Sequence, residues 1–154
     1  MRTAIAIGIG ALPREVFDLS RDVSRWPALL PHYLYVTIQS RDVGRVRVTM
    51  SAVRRFGPVA IPVTWQSDNW TDDSDPHDLR LRFVHVAGPT RGMDVTWHIE
   101  PSPQGSRVTI VHDFSRPLPI VGSELFPALI DRVFVRAIAG KTLSTFKRLA
   151  EKSA

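Results

Sequence analysis

Met93-Asp94-Val95-Thr96-Trp97-His98-Ile99-Glu100 alternates large apolar with polar side chains. A period of two places Met93, Val95, Trp97 and Ile99 on one face of a strand and the polar residues on the other. The stretch before it repeats the pattern, with Leu79, Leu81 and Phe83 set against Arg80 and Arg82. The stretch after it sets Val108, Ile110 and Phe114 against Arg107, Thr109 and Asp113. Strands with one apolar and one polar face belong to an antiparallel sheet packed on one side.

Further out, Val46, Val48, Met50 and Ala52 alternate with Arg45, Arg47, Thr49 and Ser51, and Ile61, Val63 and Trp65 continue the series. Leu34, Val36 and Ile38 alternate with Tyr33, Tyr35 and Thr37, and Ile5, Ile7 and Ile9 form a first strand. Turn signals fall between the runs at Asp42-Val43-Gly44, Gly57-Pro58, Asp72 to Pro76, Gly88-Pro89 and Pro101 to Gly105. Between residues 13 and 31, Pro13 and the pair Pro27 and Pro31 mark two short helices. From about Ser123 to Lys152, Leu125, Leu129, Ile130, Val133, Phe134, Ala137 and Ile138 recur at helical spacing. Asp131, Arg132 and Arg136 are read as off that stripe.

The expected fold is α+β: a curved seven-stranded antiparallel sheet around a long C-terminal helix, with two short helices after the first strand. Residues 1–154 are read as a single domain. One helix is the main cover for the apolar face, and a curved sheet around one helix leaves a cavity for a ligand.

Composition narrows the function classes. Hydrophobic residues at 44% and charged residues at 23% exclude a disordered chain. With no cysteine, disulfides, thiolate metal sites and cysteine nucleophiles are excluded. The N-terminus lacks the core and cleavage site of a signal peptide, and no run approaches the ~20 apolar residues of a membrane helix, so a cytoplasmic location is expected. Gly8-Ile9-Gly10 is not a dinucleotide loop, because Pro13 stands where the third glycine belongs. Gly140-Lys141-Thr142 lacks the leading glycine of a phosphate loop and lies within the helix pattern. No metal site is expected, for want of a third inward ligand, and no cofactor is expected.

Two histidines carry the chemistry. His85 is in phase with Phe83, and His112 is in phase with Ile110, so both point to the apolar face. Hairpin pairing puts one strand between them, two strand spacings or about 10 Å between backbones. That distance is too long for a hydrogen bond and suits opposite sides of one ligand. Polar groups in an apolar cavity orient ligands, and imidazole exchanges protons near neutrality. Arg54 is in phase with Met50 and Ala52 and reaches the cavity mouth or snorkels to solvent. Met50, Trp65, Phe83, Met93, Trp97 and Phe114 are read as wall residues.

The pieces Ala11-Leu12-Pro13-Arg14-Glu15-Val16-Phe17-Asp18-Leu19, Trp26-Pro27-Ala28-Leu29-Leu30-Pro31-His32-Tyr33, Gly92-Met93-Asp94-Val95-Thr96-Trp97 and His112-Asp113-Phe114 occur in order over almost the whole chain. Together they resemble the polyketide cyclase/dehydrase (aromatase/cyclase-like) branch of the START-like, or SRPBCC, superfamily. The resemblance implies a helix-grip fold with a deep apolar cavity. Its members include aromatase/cyclases, quinone-binding proteins and lipid binders. In the tetracenomycin-type aromatase/cyclase, a tyrosine after the Trp-Pro segment and an arginine on the fourth strand are implicated in catalysis. Tyr33 matches the tyrosine, and Asn69 stands at the arginine position.

The resulting expectation is a poly-ketone cyclase with His85, His112 and Tyr33 as its acid–base set. Arg54 and Asn69 join the wall residues in contacting ligand. The alternative is a non-catalytic carrier of a quinone or lipid. The expected partner is a hydrophobic small molecule, presented by an acyl carrier protein. The net charge of +5, from 20 basic against 15 acidic residues, matches no nucleic-acid motif. Arg45, Arg47, Arg80, Arg82 and Arg107 fall on the outward face, a solvated exterior or a dock for an acidic carrier.

Overall fold

The alternating runs assemble into a seven-stranded antiparallel sheet of order β1-β7-β6-β5-β4-β3-β2 in the computed structural model, which describes residues 1–114 and 125–153. The strands are β1 (Arg2–Ile9), β2 (Tyr33–Asp42), β3 (Arg45–Phe56), β4 (Val59–Asp72), β5 (Leu79–Ala87), β6 (Asp94–Ser102) and β7 (Gly105–Asp113). β2 to β7 form a meander, and β1 closes on β7 with Ile5 opposite Ile110. After β1 come α1 (Pro13–Ser20), a 3₁₀ turn (Val23–Arg25) and α2 (Trp26–Leu29). Pro13 opens α1, and Glu15 Oε2 accepts from the Leu12 N–H at 2.9 Å, satisfying one of the free amides there.

The C-terminal helical stretch runs through α3 (Leu125–Ile130), a π-helical segment (Asp131–Val135) and α4 (Arg136–Ser153). The expected start at Ser123 lies outside the described residues. Its buried side chains include Asp131, Val135, Ala139, Leu143 and Phe146, each three or four positions from the next, with Ile130, Thr142, Thr145 and Ala150 beside them. This stripe lies on the concave face of the sheet, and α4 is pinned to β1. Lys147 Nζ donates to Gly8 O at 2.9 Å, and Glu151 Oε1 accepts from the Gly10 N–H at 2.9 Å. Gly10 therefore belongs to a strand end tied to a helix, and Gly140 lies inside α4, where a Cβ would meet Ile5 Cδ1 at 3.4 Å.

Several expectations about facing change. Tyr33 is buried and Leu34 exposed, because a register shift between Tyr33 and Tyr35 exchanges the faces there, while Val36 keeps its packing against the core and Ile38, Ile61 and Leu129 are exposed. Asp131 is buried within the helix stripe. On the outer face, most of the arginines singled out are engaged. Arg47 grips Asp68 through two bonds of 2.7 and 2.9 Å, and Arg80 pairs with Asp78 at 2.6 Å. Arg45 and Arg82 lie over the Trp70 ring at 4.2 and 5.3 Å.

Candidate functional site

The helix covers the sheet incompletely, and a cavity of about 630 Å³, counted out to its open mouth, lies between them. The room inside it for the centre of a water-sized sphere is about 90 Å³. Trp65, Phe83, Met93 and Trp97 form the sheet side, with Met50 at one edge. Trp26 closes one side, and Phe134, Val135, Ile138 and Ala139 form the helix side. The polar side chains in this apolar wall are Tyr33, His85, Thr90, His112 and Thr142.

His85 and His112 are both inward. Val95 lies between them in register, paired with His112 on one side and with Phe83, two residues before His85, on the other. The His85 ring stacks on Trp65, with centroids 5.7 Å apart and planes 3° from parallel. Its Nδ1 is 2.6 Å from Thr90 Oγ1. Thr90 sits in the β5–β6 turn, which folds back so that the Gly92 N–H donates to His85 O at 2.9 Å. That fold requires Gly88 at φ +95°, where a Cβ would lie 2.7 Å from Thr64 O. Burial, with nearby His112 adding to its effect, pushes the His85 imidazole down to about 3.

His112 is pushed down to about 4 by burial, with Asp131 opposing the shift and Arg136 adding to it. Asp131 is held by Thr3 Oγ1, which donates to Oδ1 at 2.8 Å, and by Arg136 Nε, which donates to Oδ2 at 2.8 Å. Thr3 is the β1 neighbour of His112, so the register itself brings this carboxylate to the histidine. The charge environments of the two imidazoles therefore differ. A proton on His112 faces a carboxylate, whereas a proton on His85 faces another imidazole.

A third polar cluster occupies another part of the wall. Thr142 Oγ1 donates to Ile138 O at 2.8 Å and lies 2.8 Å from His32 Nε2. With its proton committed, the hydroxyl accepts from His32 Nε2–H, and Nδ1 of His32 is buried without a partner among the described residues. Tyr33 also hydrogen-bonds Thr142, and burial raises its hydroxyl pKa, so it remains a donor. Burial lowers His32 to about 4, with Lys141 adding to the effect.

Eight of the residues singled out from the sequence thus face one cavity: His85, His112, Tyr33, Met50, Trp65, Phe83, Met93 and Trp97. Three do not. Arg54 turns away, donating from Nε to Val133 O at 3.0 Å in the π-helical segment and lying over Phe56 at 4.7 Å. Asn69 is buried in a separate depression, and Phe114 is buried in the core. Thr90, Thr142 and Asp131 were missed. Asp131 had a signal, since it stands four residues before buried Val135. Thr90 had none, because loop residues carry no periodicity.

Thr90→Val should leave His85 Nδ1 without a partner and lower the unfolding free energy by about 1–2 kcal/mol. Chemical denaturation measures this directly, and an unchanged midpoint would show that the contact contributes nothing.

Among the described residues no three His, Asp or Glu side chains converge to hold a metal ion, and no helix is long and apolar enough to cross a membrane.

The curved seven-stranded sheet gripping a C-terminal helix over an apolar cavity is a helix-grip fold. Residues 2–151 match the family described as polyketide cyclase / dehydrase and lipid transport, and the chain belongs to that family. A Streptomyces cyaneus protein described as a polyketide cyclase is 32% identical over 111 residues, covering 71% of this chain and 69% of the relative. The granaticin polyketide synthase bifunctional cyclase/dehydratase of Streptomyces virginiae is 31% identical over 116 residues, covering 72% of this chain. The match covers only 35% of that relative. Among solved structures, the Zhui aromatase/cyclase of a Streptomyces species superposes with TM-score 0.76 at 16% identity, over 99% of this chain and 94% of its own. A protein of Thermus thermophilus also superposes with TM-score 0.76, at 21% identity over 100% and 99% of the two chains.

Proposed function

We propose that the chain binds a poly-ketone in this cavity and closes it by aldol cyclisation with loss of water. The observation that carries the reading is the unequal pair of inward imidazoles, one of them facing a buried carboxylate. Both histidines are neutral at physiological pH, so neither is a resting acid. His112 accepts a proton from the methylene between two carbonyls, and Asp131 stabilises the imidazolium that forms. The resulting carbanion attacks a second carbonyl carbon. One C–C bond forms, and the new alkoxide takes up a proton from the imidazolium or from Tyr33. Loss of a second C–H proton and of that oxygen as water gives the double bond. His85, its ring orientation fixed by Thr90 and Trp65, uses its other nitrogen to orient a carbonyl oxygen. The aromatic walls hold the chain in one fold, which selects the ring that closes. An acyl carrier protein is the proposed source of the chain.

Turnover of a carrier-bound poly-ketone should fall about 100-fold or more in His112→Ala, the usual size of an acid–base contribution. In His85→Ala the product should shift toward the rings that form spontaneously. Wild-type rate and product in both variants would remove the histidines from the mechanism.

A further inference from the structure

A second depression opens at the end of the sheet, where β3 begins at Arg45 while its neighbour β4 continues to Asp72. The β2–β3 turn therefore leaves a notch beside Thr71, roofed by the 3₁₀ turn. The space is about 670 Å³, open to solvent. Arg21, Arg41 and Arg82 line it, with Asp22 the acidic residue among them. Asp22 uses Oδ1 on the Ser24 N–H and hydroxyl. Arg21 shares a 3.6 Å contact with exposed Asp18, and Asp72 lies in the electrostatic reach of Arg82. Arg41 makes no ion pair among the described residues. Among the lining residues three guanidinium groups stand against one carboxylate.

The inner wall carries the independent observation. Asn69 is 8% exposed, and its Oδ1 accepts from Ser67 Oγ at 2.6 Å. Its Nδ2 is buried with no partner among the described residues. Ser67 lies two residues back along β4, so the bond turns Oδ1 up the strand and leaves Nδ2 directed the other way, toward the notch that Asn69 lines. A buried donor without an acceptor is costly unless something accepts from it. Phe83 is the side chain shared by the walls of this notch and of the main cavity.

We propose that the notch is an anion-binding site for a phosphate or carboxylate group. The Asn69 amide N–H meets one oxygen from inside, and the guanidinium groups meet the others from the rim. Guanidinium is always charged and presents paired donors that match the planar or tetrahedral oxygens of either group. The inference is independent of the cyclase reading, and turnover results leave it untouched.

Full-length ¹⁵N-labelled protein, titrated with inorganic phosphate and separately with acetate at constant ionic strength, tests it by NMR. The Asn69 side-chain amide pair and the Arg41 Nε–H should shift saturably, while the Trp97 indole stays in place. Saturation by phosphate alone assigns a phosphate-bearing group, and saturation by acetate alone assigns a carboxylate. Asn69→Leu and the surface variant Arg41→Gln should each weaken binding at least fivefold. Shifts that fail to saturate with both anions, match a chloride control, move the Trp97 indole equally, or persist unchanged in Arg41→Gln would overturn the proposal.

Discussion

Taking the protein from about pH 7.5 to about pH 5 should remove about 6 kcal/mol of its unfolding free energy. The cause is three buried histidines whose folded pKa values lie near 4, 3 and 4 for His32, His85 and His112, below an ordinary value of 6.5. Above 6.5 both the folded and the unfolded chain hold them neutral, and they contribute no pH dependence. Below it the unfolded chain binds protons that the folded chain refuses, so stability falls as pH falls, until the folded values are reached. Each pH unit corresponds to about 1.4 kcal/mol per group, or about 2 kcal/mol each at pH 5. A typical domain has only about 5–15 kcal/mol in all, so unfolding should follow at slightly lower pH. Asp68, Asp72 and Glu151 are also held below their usual range by their hydrogen bonds. Their contribution has the same sign but is lost at lower pH, which leaves pH 5 to the histidines. Urea unfolding at the two pH values measures the difference, and His85→Phe should reduce it by about a third. A loss under about 2 kcal/mol would contradict the burial of these groups as neutral imidazoles.

Trp26→Ala should cost about 3–5 kcal/mol for the cavity it leaves, and about 1 kcal/mol more for a lost hydrogen bond. Trp26 is 2% exposed and sits at the centre of an aromatic cluster. Its ring centroid is 5.2 Å from Tyr33, 5.6 Å from Trp97, 5.7 Å from Phe146 and 5.9 Å from Phe83. Its Nε1 donates to Ser20 O at 2.9 Å, tying the end of α1 to the cluster. Because the same ring is a cavity wall, the variant should also lose ligand affinity at temperatures where it remains folded. Trp26→Phe, which keeps most ring contacts and gives up the hydrogen bond, should lose less than half as much. Denaturation midpoints order the three proteins. An alanine variant within about 1.5 kcal/mol of wild type would mean that the neighbouring rings collapse into the space.

The sheet was legible because alternation is a local signal, and every interior strand of this meander has one buried face. β2 was misread for a physical reason. As an edge strand it buries little, and the register shift after Tyr33 turns that residue inward in place of Leu34 without altering the composition. The inward pair His85 and His112 could be read from phase alone. Asp131 could have been, since it keeps the same phase as Val135 and Ala139, but its charge argued for the surface. A buried carboxylate is explained only by partners from distant segments, Thr3 on β1 and a positively charged Arg136 one turn on. Arg54 has the phase of a wall residue, and only the carbonyl at Val133, in the π-helical segment, draws it elsewhere. Thr90 and Thr142 act through contacts fixed by a turn and by helix packing, which no spacing rule encodes.

The strand order also says something about time. Each strand from β3 to β7 pairs with the one made just before it, so most of the sheet can form as the chain lengthens. β1 is the exception. Among the described residues its strand neighbour is β7, whose first residue lies 103 positions after Arg2, and its other anchor is α4. β1 is therefore made long before its partner, and until β7 is in place Ile5 and Ile7 remain uncovered. Pairings between segments so far apart close slowly. The newborn chain spends that interval with an unsatisfied edge, the period in which a chaperone would find it.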